Sequence, residues 1–195
     1  ISAGEQLQIT PTMISVFKKL EHCTLYNYYG PTEADIVTSY TFDPNPELWP
    51  KYIPIGKPAI NVQVYILNSH LQPVPIGVTG ELYVAGGGLA RGYFNNPQLT
   101  KEKFIANPFS DNSLLYKTGD LARYLPNGDI EYLGRIDDGV KVRGYRIELG
   151  EVETILNQHP QIAQAIATVQ GETAREKYIA AYFNPRPGET VNQVE

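Results

Sequence analysis

The feature that most constrains this chain is the β texture between residues 60 and 135. In NVQVYILN, Val62, Val64 and Ile66 fall on one side, the period of a half-buried strand. ELYVAG reads as a second strand, after a turn region at PVPIGVTG and before the glycine-rich loop GGGLARGYF. LLYKTGDLARYL and DIEYLGRI then flank Pro126-Asn127-Gly128-Asp129. Apolar runs on either side of an Asn-Gly pair predict a β-hairpin.

The flanks read differently. PTMISVFKKL (11–20) predicts a short helix with proline in its first turn and Met13, Val16, Phe17 and Leu20 on one face. Leu25 to Tyr29 is a short strand-like run that stops at Gly30-Pro31. Residues 43–54 hold several prolines and read as a surface loop. Past Arg135, VKVRGYRIEL predicts a strand interrupted by Gly144. GEVETILNQHP predicts a helix with Val152, Ile155 and Leu156 on one face. Glu151 and Glu153 favour its N-terminal end. IAQAIATVQ and KYIAAYFNP look like strands. This β-α-β-β order marks a small α/β unit, with Asp137-Asp138-Gly139 as the joint before it.

Composition removes several function classes. With 16 basic and 21 acidic residues in 195, the net charge is −5, and no basic field exists to hold nucleic acid. No apolar run approaches a membrane span, and the N-terminal ISAGEQLQIT lacks the pattern of a signal peptide. A single cysteine, Cys23, excludes an internal disulfide, and a cytoplasmic location is expected. His22, His70 and His159 lack metal-ligand spacing. There is no nucleophile elbow and no Gly-x-x-x-x-Gly-Lys-Ser/Thr loop.

Three short segments can carry chemistry. Tyr28-Tyr29-Gly30-Pro31-Thr32-Glu33 places an aromatic pair before a turn that presents a hydroxyl beside a carboxylate. Such a turn suits phosphate-bound Mg²⁺, which takes few, hard oxygen ligands. It reads equally as a plain turn with a capping Thr and a solvated Glu. Tyr116-Lys117-Thr118-Gly119-Asp120 can aim a carboxylate at ribose hydroxyls, or simply satisfy nearby backbone N–H groups. Gly134-Arg135-Ile136-Asp137-Asp138 puts a guanidinium at a strand end, as a phosphate partner or as a surface ion pair.

The ordered set is more specific than any member. YGPTE, GELYVAGGGLARGY, YKTGDLARYLPNGDIEYLGR and VKVRGYRIELGEVE, in this order and spacing, resemble the adenylation domains of non-ribosomal peptide synthetases across essentially the whole chain. The resemblance implies a mixed α/β (α+β) fold. Residues 1–136 would be the C-terminal part of a large AMP-binding subdomain with a β-barrel-like section. Residues 137–195 would be an incomplete, small, mobile subdomain. It implies an amino-acid ligase that forms aminoacyl-AMP from Mg²⁺-bound ATP, then passes the acyl group to the phosphopantetheine thiol of a carrier domain.

By the same resemblance, Asn27 and Tyr29 contact adenine, Tyr29 by stacking. Thr32 binds phosphate and Glu33 ligates Mg²⁺. Asp120 holds the ribose hydroxyls, with Tyr132 near the base, and Arg135 contacts ribose and phosphate. Asp137 is the hinge, and Lys141 with Arg143-Gly144-Tyr145 serves the transfer step. Ile1, Ala3, Tyr28, Ile36 and Val37 line the side-chain pocket. An unpaired charge is costly against such a wall, so an apolar or aromatic amino acid is expected. Glu33, Asp120 and Arg135 should share one cleft.

The sequence also departs from the family pattern. The Gly/Ser/Thr-rich phosphate loop, the aspartate that binds the substrate amine and the lysine of a Gly-Lys-x-Asp-Arg block are absent, so the chain alone is expected not to adenylate. The N-terminal half of the same domain would be a partner. Gly139 stands where glutamine is common. Two other readings compete: an acyl- or aryl-acid ligase without a carrier, and a non-catalytic module that binds nucleotide or a partner domain.

Overall fold

The computed structural model describes residues 7–20, 22–50, 52–136, 140–142, 145–147, 149–171 and 176–188. The architecture is mixed α/β, with sheets dominant and helices few. The chain divides into two compact units, Ile1–Ile136 and Asp137–Glu195.

The first unit begins with helix α1 (Pro11–Phe17). Thr10 is extended and its hydroxyl accepts from Met13 N at 3.2 Å, while Pro11 fills the first helical turn. Met13 and Phe17 pack against Leu25, Phe42 and Ile53. Val16 and Leu20, expected on the same face, are exposed. The helix is only seven residues long, so its buried stripe is a single i, i+4 pair and Leu20 lies past its end.

Three short strands follow, β1 (Tyr26–Tyr29), β2 (Thr38–Thr41) and β3 (Lys57–Pro58), antiparallel in that order. The loop before β3 holds one 3₁₀ turn at Pro46–Leu48. Its last part is buried rather than superficial. Ile55 N donates to Ile130 O at 2.8 Å and Ile130 N donates to Gly56 O at 2.8 Å, which ties this sheet to the next.

The second sheet comprises β4 (Val62–Leu67), β5 (Gly80–Gly86), β6 (Phe104–Ala106), β7 (Leu114–Tyr124) and β8 (Ile130–Arg135). The path is β4-β5-β7-β6, with β8 also on β7. At 11 residues β7 is long enough to share one edge: β6 pairs with Leu114–Tyr116, and β8 with Asp120–Tyr124. One face packs Val64, Ile66, Leu82, Val84, Ala122 and Ile130 against Tyr29, Ala34, Val37 and Ile55. The other packs Leu67, Tyr83, Ala85 and Leu115 with Tyr65 and Ile105. Covered twice, β5 is buried continuously from Leu82 to Ala85, without alternation. Burying a leucine such as Leu82 stabilises by about 2 kcal/mol.

The β7–β8 hairpin forms where the Asn-Gly pair predicts it. Its turn is a three-residue loop, with Gly128 N on Leu125 O at 2.9 Å and Leu125 N on Asp129 O at 2.8 Å. Pro126 presets the first turn residue, and Gly128 takes the left-handed position at φ 84. Helix α2 (Pro97–Lys103) was not expected from the sequence. Asn96 caps it by accepting from Leu99 N, and Pro97 opens it.

In the second unit, VKVRGYRIEL forms two strands rather than one interrupted strand. β9 (Val140–Val142) and β10 (Tyr145–Ile147) are antiparallel, with Val142 opposite Tyr145, so the chain must reverse between them. Helix α3 (Leu149–Asn157) precedes the antiparallel pair β11 (Ile162–Gln170) and β12 (Tyr178–Pro185). Glu153 Oε1 accepts from Ala167 N at 2.9 Å, and Asn157 Oδ1 from Ala165 N at 2.7 Å. These bonds turn Val152, Glu153, Leu156 and Asn157 towards β11. Ile155, expected on the inner face, is exposed.

Candidate active site

β1 runs directly into Gly30-Pro31-Thr32-Glu33. The turn is too close for any side chain at its first position. A Cβ on Gly30 would lie 1.5 Å from the Asp35 carbonyl oxygen. Val37 N donates to Tyr29 O at 2.8 Å and Ala34 N to Pro31 O at 3.1 Å, closing the loop. Ala34 and Val37 drop into the core while Thr32 and Ile36 stay exposed. The hydroxyl and the carboxylate are therefore fixed to a buried frame.

β7 supplies the second part through a bulge. Between the pairs Tyr83–Lys117 and Glu81–Leu121, β5 advances two residues and β7 four. Thr118-Gly119-Asp120 absorb the excess, with Gly119 at φ 74. Three bonds pin the bulge. Thr118 Oγ1 donates to Leu82 O at 2.7 Å and accepts from Asp120 N at 3.0 Å. Gly119 N donates to Glu81 Oε1 at 3.1 Å.

Asp120 stands directly across from Arg135 in the hairpin register. Arg135 Nη1 donates to Asp120 Oδ1 at 2.9 Å and to Thr118 O at 3.2 Å. Asp120 Oδ2 accepts from the Tyr29 hydroxyl. Asp120 and Tyr29 are 5% and 7% exposed, so this is a buried ion pair with a neutral third member. Such a pair is tolerated only where further hydrogen bonds offset its desolvation, and Tyr29 and Thr118 provide them. Burial, and then the Asp120 carboxylate, push the Tyr29 phenol well above the usual tyrosine range. The Tyr132 ring centroid lies 6.2 Å from that of Tyr29.

Glu33 is held by the glycine-rich loop. Its backbone oxygen accepts from Ala90 N at 2.7 Å, and its Oε1 accepts from the Tyr93 hydroxyl at 2.6 Å. Tyr93 Oη lies 3.5 Å from Tyr116 Oη. Tyr116 is on β7, four residues before Asp120, so both groups hang from one strand. Two hydrogen-bonded groups therefore hang from β7: Glu33–Tyr93–Tyr116, and Tyr29–Asp120–Arg135. Burial, then the bond to Glu33, raise the Tyr93 phenol above its ordinary range.

Other expected site residues fall elsewhere. Asn27 is buried, and its Nδ2 donates to Pro54 O at 3.1 Å, which braces β1 against the loop before β3. Val37, expected in the pocket wall, is wholly inaccessible and belongs to the core, because the Glu33–Val37 turn rotates it inward. Tyr28 is half-buried, stacked on Tyr26 at 6.1 Å. Ile1, Ala3, Asp137, Gly139, Arg143 and Gly144 lie outside the described residues. Lys141 is in β9, in register with Arg146. Sequence reading missed Tyr93, Thr118 and Glu81. Tyr93 and Thr118 sit inside segments singled out for their glycines and their aspartate, but their partners are distant in sequence.

Among the described residues no group of three or more His, Cys, Asp or Glu side chains is placed to hold a metal ion. Mg²⁺ that arrives on a nucleotide needs no such cage. One fixed carboxylate with a neighbouring hydroxyl, as at Glu33 and Thr32, fits its preference for few protein ligands. A cavity of 670 Å³ opens on the far side of the glycine-rich loop, lined by Arg91, Phe94, Asn96 and Lys101 among others. It shares Tyr93 with the Glu33 group but neither carboxylate. No described helix is long and apolar enough to cross a membrane.

Comparison with known proteins agrees with this geometry. The AMP-binding enzyme family matches residues 1–94. The chain is 50% identical over 187 residues to tyrocidine synthase 3 of Brevibacillus parabrevis, covering 95% of this chain and 3% of that protein. It is 46% identical over 185 residues to gramicidin S synthase 2 of Brevibacillus brevis, covering 93% of this chain and 4% of that one. The chain therefore spans only a few per cent of these relatives. Among solved structures it is similar to NpsA-ThdA, an artificially fused adenylation-PCP di-domain NRPS from Klebsiella oxytoca. The TM-score is 0.76 at 31% identity, covering 97% of this chain and 35% of that one. It is also similar to PA1221, an NRPS protein containing adenylation and PCP domains, with TM-score 0.79 at 29% identity, covering 95% and 37%. Motif order, fold and relatives agree: the chain is similar to the AMP-binding enzymes over residues 1–94 and, over nearly its whole length, to segments of proteins of non-ribosomal peptide synthesis.

Proposed function

We propose that this chain supplies part of the nucleotide site of a cytoplasmic amino-acid-activating ligase. In the first half-reaction a substrate carboxylate oxygen attacks the α-phosphorus of ATP. The bond to the bridging oxygen breaks, and pyrophosphate leaves with the electron pair. In the second, the thiol of a carrier-bound phosphopantetheine displaces AMP and gives up its proton. Positioning and charge neutralisation carry chemistry of this kind.

The observation that supports the reading best is the Tyr29–Asp120–Arg135 cluster. A carboxylate able to accept from ribose hydroxyls is locked beside a guanidinium able to meet phosphate, on the strand that also bears Tyr116. Tyr132 offers a ring near it for the base. Tyr29, expected to stack on the base, is packed in the core and holds Asp120 through its phenol. Mg²⁺ bound with ATP would neutralise phosphate charge, with Glu33 as the residue that holds it and Thr32 on phosphate. Lys141 and Tyr145, on the second unit's hairpin, are assigned to the transfer step by resemblance.

The test is amino-acid-dependent ATP–pyrophosphate exchange by the complete adenylation domain containing this segment. Arg135→Ala and Asp120→Asn should each lower kcat/KM for ATP at least tenfold, the scale of about 1.4 kcal/mol or more. Exchange at the wild-type rate in both would overturn the assignment. For the amino acid, Tyr28 and the exposed Ile36 remain as wall candidates, and with them a preference for an apolar or aromatic side chain. A panel of amino acids checks this, and selection of Asp or Glu would overturn it.

A further inference from the structure

Glu33 is gripped twice by the same loop. One bond is to its backbone, from Ala90, and the other to its carboxylate, from the Tyr93 hydroxyl. Tyr93 is itself fixed at its backbone and at its ring. Its backbone N donates to Thr100 Oγ1 at 2.9 Å, and that hydroxyl in turn donates to Asn96 O at 2.8 Å. Its ring meets Phe104 edge-on at 5.8 Å, and Phe104 packs on Tyr116 at 4.9 Å. A glutamate side chain without such restraint samples many rotamers and loses that entropy on binding a ligand. A phenol held through Thr100 of α2 and the Phe104 ring removes that freedom beforehand.

We propose that Tyr93 is a positioning residue for Glu33: the phenol presets the carboxylate so that the metal–nucleotide complex finds it already oriented. This rests on the proposed role of Glu33 as the metal's carboxylate. The phenol takes Oε1 as a neutral hydrogen-bond donor, so it fixes the carboxylate without cancelling its charge. Second partners of this kind commonly set ligand orientation, and their loss weakens metal binding by about 10–100-fold.

The test measures ATP binding by calorimetry, with and without Mg²⁺, in the complete adenylation domain containing this segment. Wild type should bind Mg²⁺-ATP more tightly than metal-free ATP. Tyr93→Phe keeps the ring packing and should shrink that metal advantage about tenfold while leaving metal-free ATP binding unchanged. Tyr124→Phe removes a phenol of similar burial that donates to Val64 O and should leave the metal advantage intact. If Tyr93→Phe does not fold, Tyr93→His, whose ring donor falls short of the carboxylate, is measured for the same loss. A full metal advantage in the folded Tyr93 variant, while Glu33→Gln abolishes it, overturns the inference and leaves the role of Glu33 standing. A full advantage in Glu33→Gln overturns the role of Glu33, and the inference with it.

Discussion

In the first unit β7 is buried on both faces, and its polar groups are held by partners on β1, β5, β8 and the glycine-rich loop. In the second unit the described residues bury only Val142, Ile162, Ala165 and Ala167. There, part of the cohesion is polar: two side chains of α3 cap N–H groups of β11. The difference teaches that a site needing fixed side chains is built where the core is thick. A buried ion pair such as Asp120–Arg135 survives only because neighbouring strands hold its hydrogen-bond partners in place. Among its described residues the thin unit offers no such frame, and its strand edge is protected instead by a carboxylate and an amide.

The largest test of this contrast is Asp120→Ala. It removes the carboxylate paired with a guanidinium whose side chain is 9% exposed, and the acceptor of Tyr29. We expect the first unit to lose about 3–5 kcal/mol in urea denaturation. A loss below about 1 kcal/mol would show that the thick core does not depend on this pair, and the contrast would fail. Gly30→Ala comes next. With backbone in the way, the turn must shift, at a cost of about 3 kcal/mol, read by the same denaturation.

A third test is alkaline pH. The phenols of Tyr29, Tyr83, Tyr93 and Tyr124 are all raised in the folded state, by burial first. The unfolded chain therefore releases these protons at lower pH than the folded one. Their contribution to stability is complete below about pH 10 and is lost above it. Melting temperature should be level from about pH 7 to 9 and fall beyond about 10. Phenolate absorbance should rise in step with unfolding for these tyrosines. Free titration of all 14 tyrosines in the folded protein would contradict it.

Smaller effects probe the thin unit. Glu153→Ala leaves Ala167 N without its carboxylate and should cost about 1 kcal/mol, with faster hydrogen exchange at Ala167 than at Val169. Ile155→Ser should change stability by less than about 0.5 kcal/mol, because Ile155 is 69% exposed. A larger loss would mean the helix buries the face that its sequence first suggested.

How much was legible beforehand follows the range of each interaction. Alternation marked β4, apolar runs marked β5, β7 and β8, and Pro126-Asn127-Gly128 marked the β7–β8 hairpin, because strand period and turn geometry are local properties. Asp120 and Arg135 face each other through that turn, 15 residues apart. α2 escaped notice although Asn96-Pro97 is a cap signal, since a seven-residue helix leaves little periodicity to count. Ile155 was placed on the wrong side because position in a pattern shows spacing, not which neighbour will cover it; Val37, given to the pocket wall by resemblance, lies in the core.

By itself the sequence determined the strands, the turns and the identity of the chemical groups, since backbone preferences act between near neighbours. Only the tertiary structure decided that Tyr29 meets Asp120 across 91 positions and that Tyr93 meets Glu33 across 60. Those contacts depend on which faces of separate sheets and loops pack together. That choice is made by the burial of side chains such as Val37, Leu82 and Val84, summed over the whole core, and no local pattern encodes it.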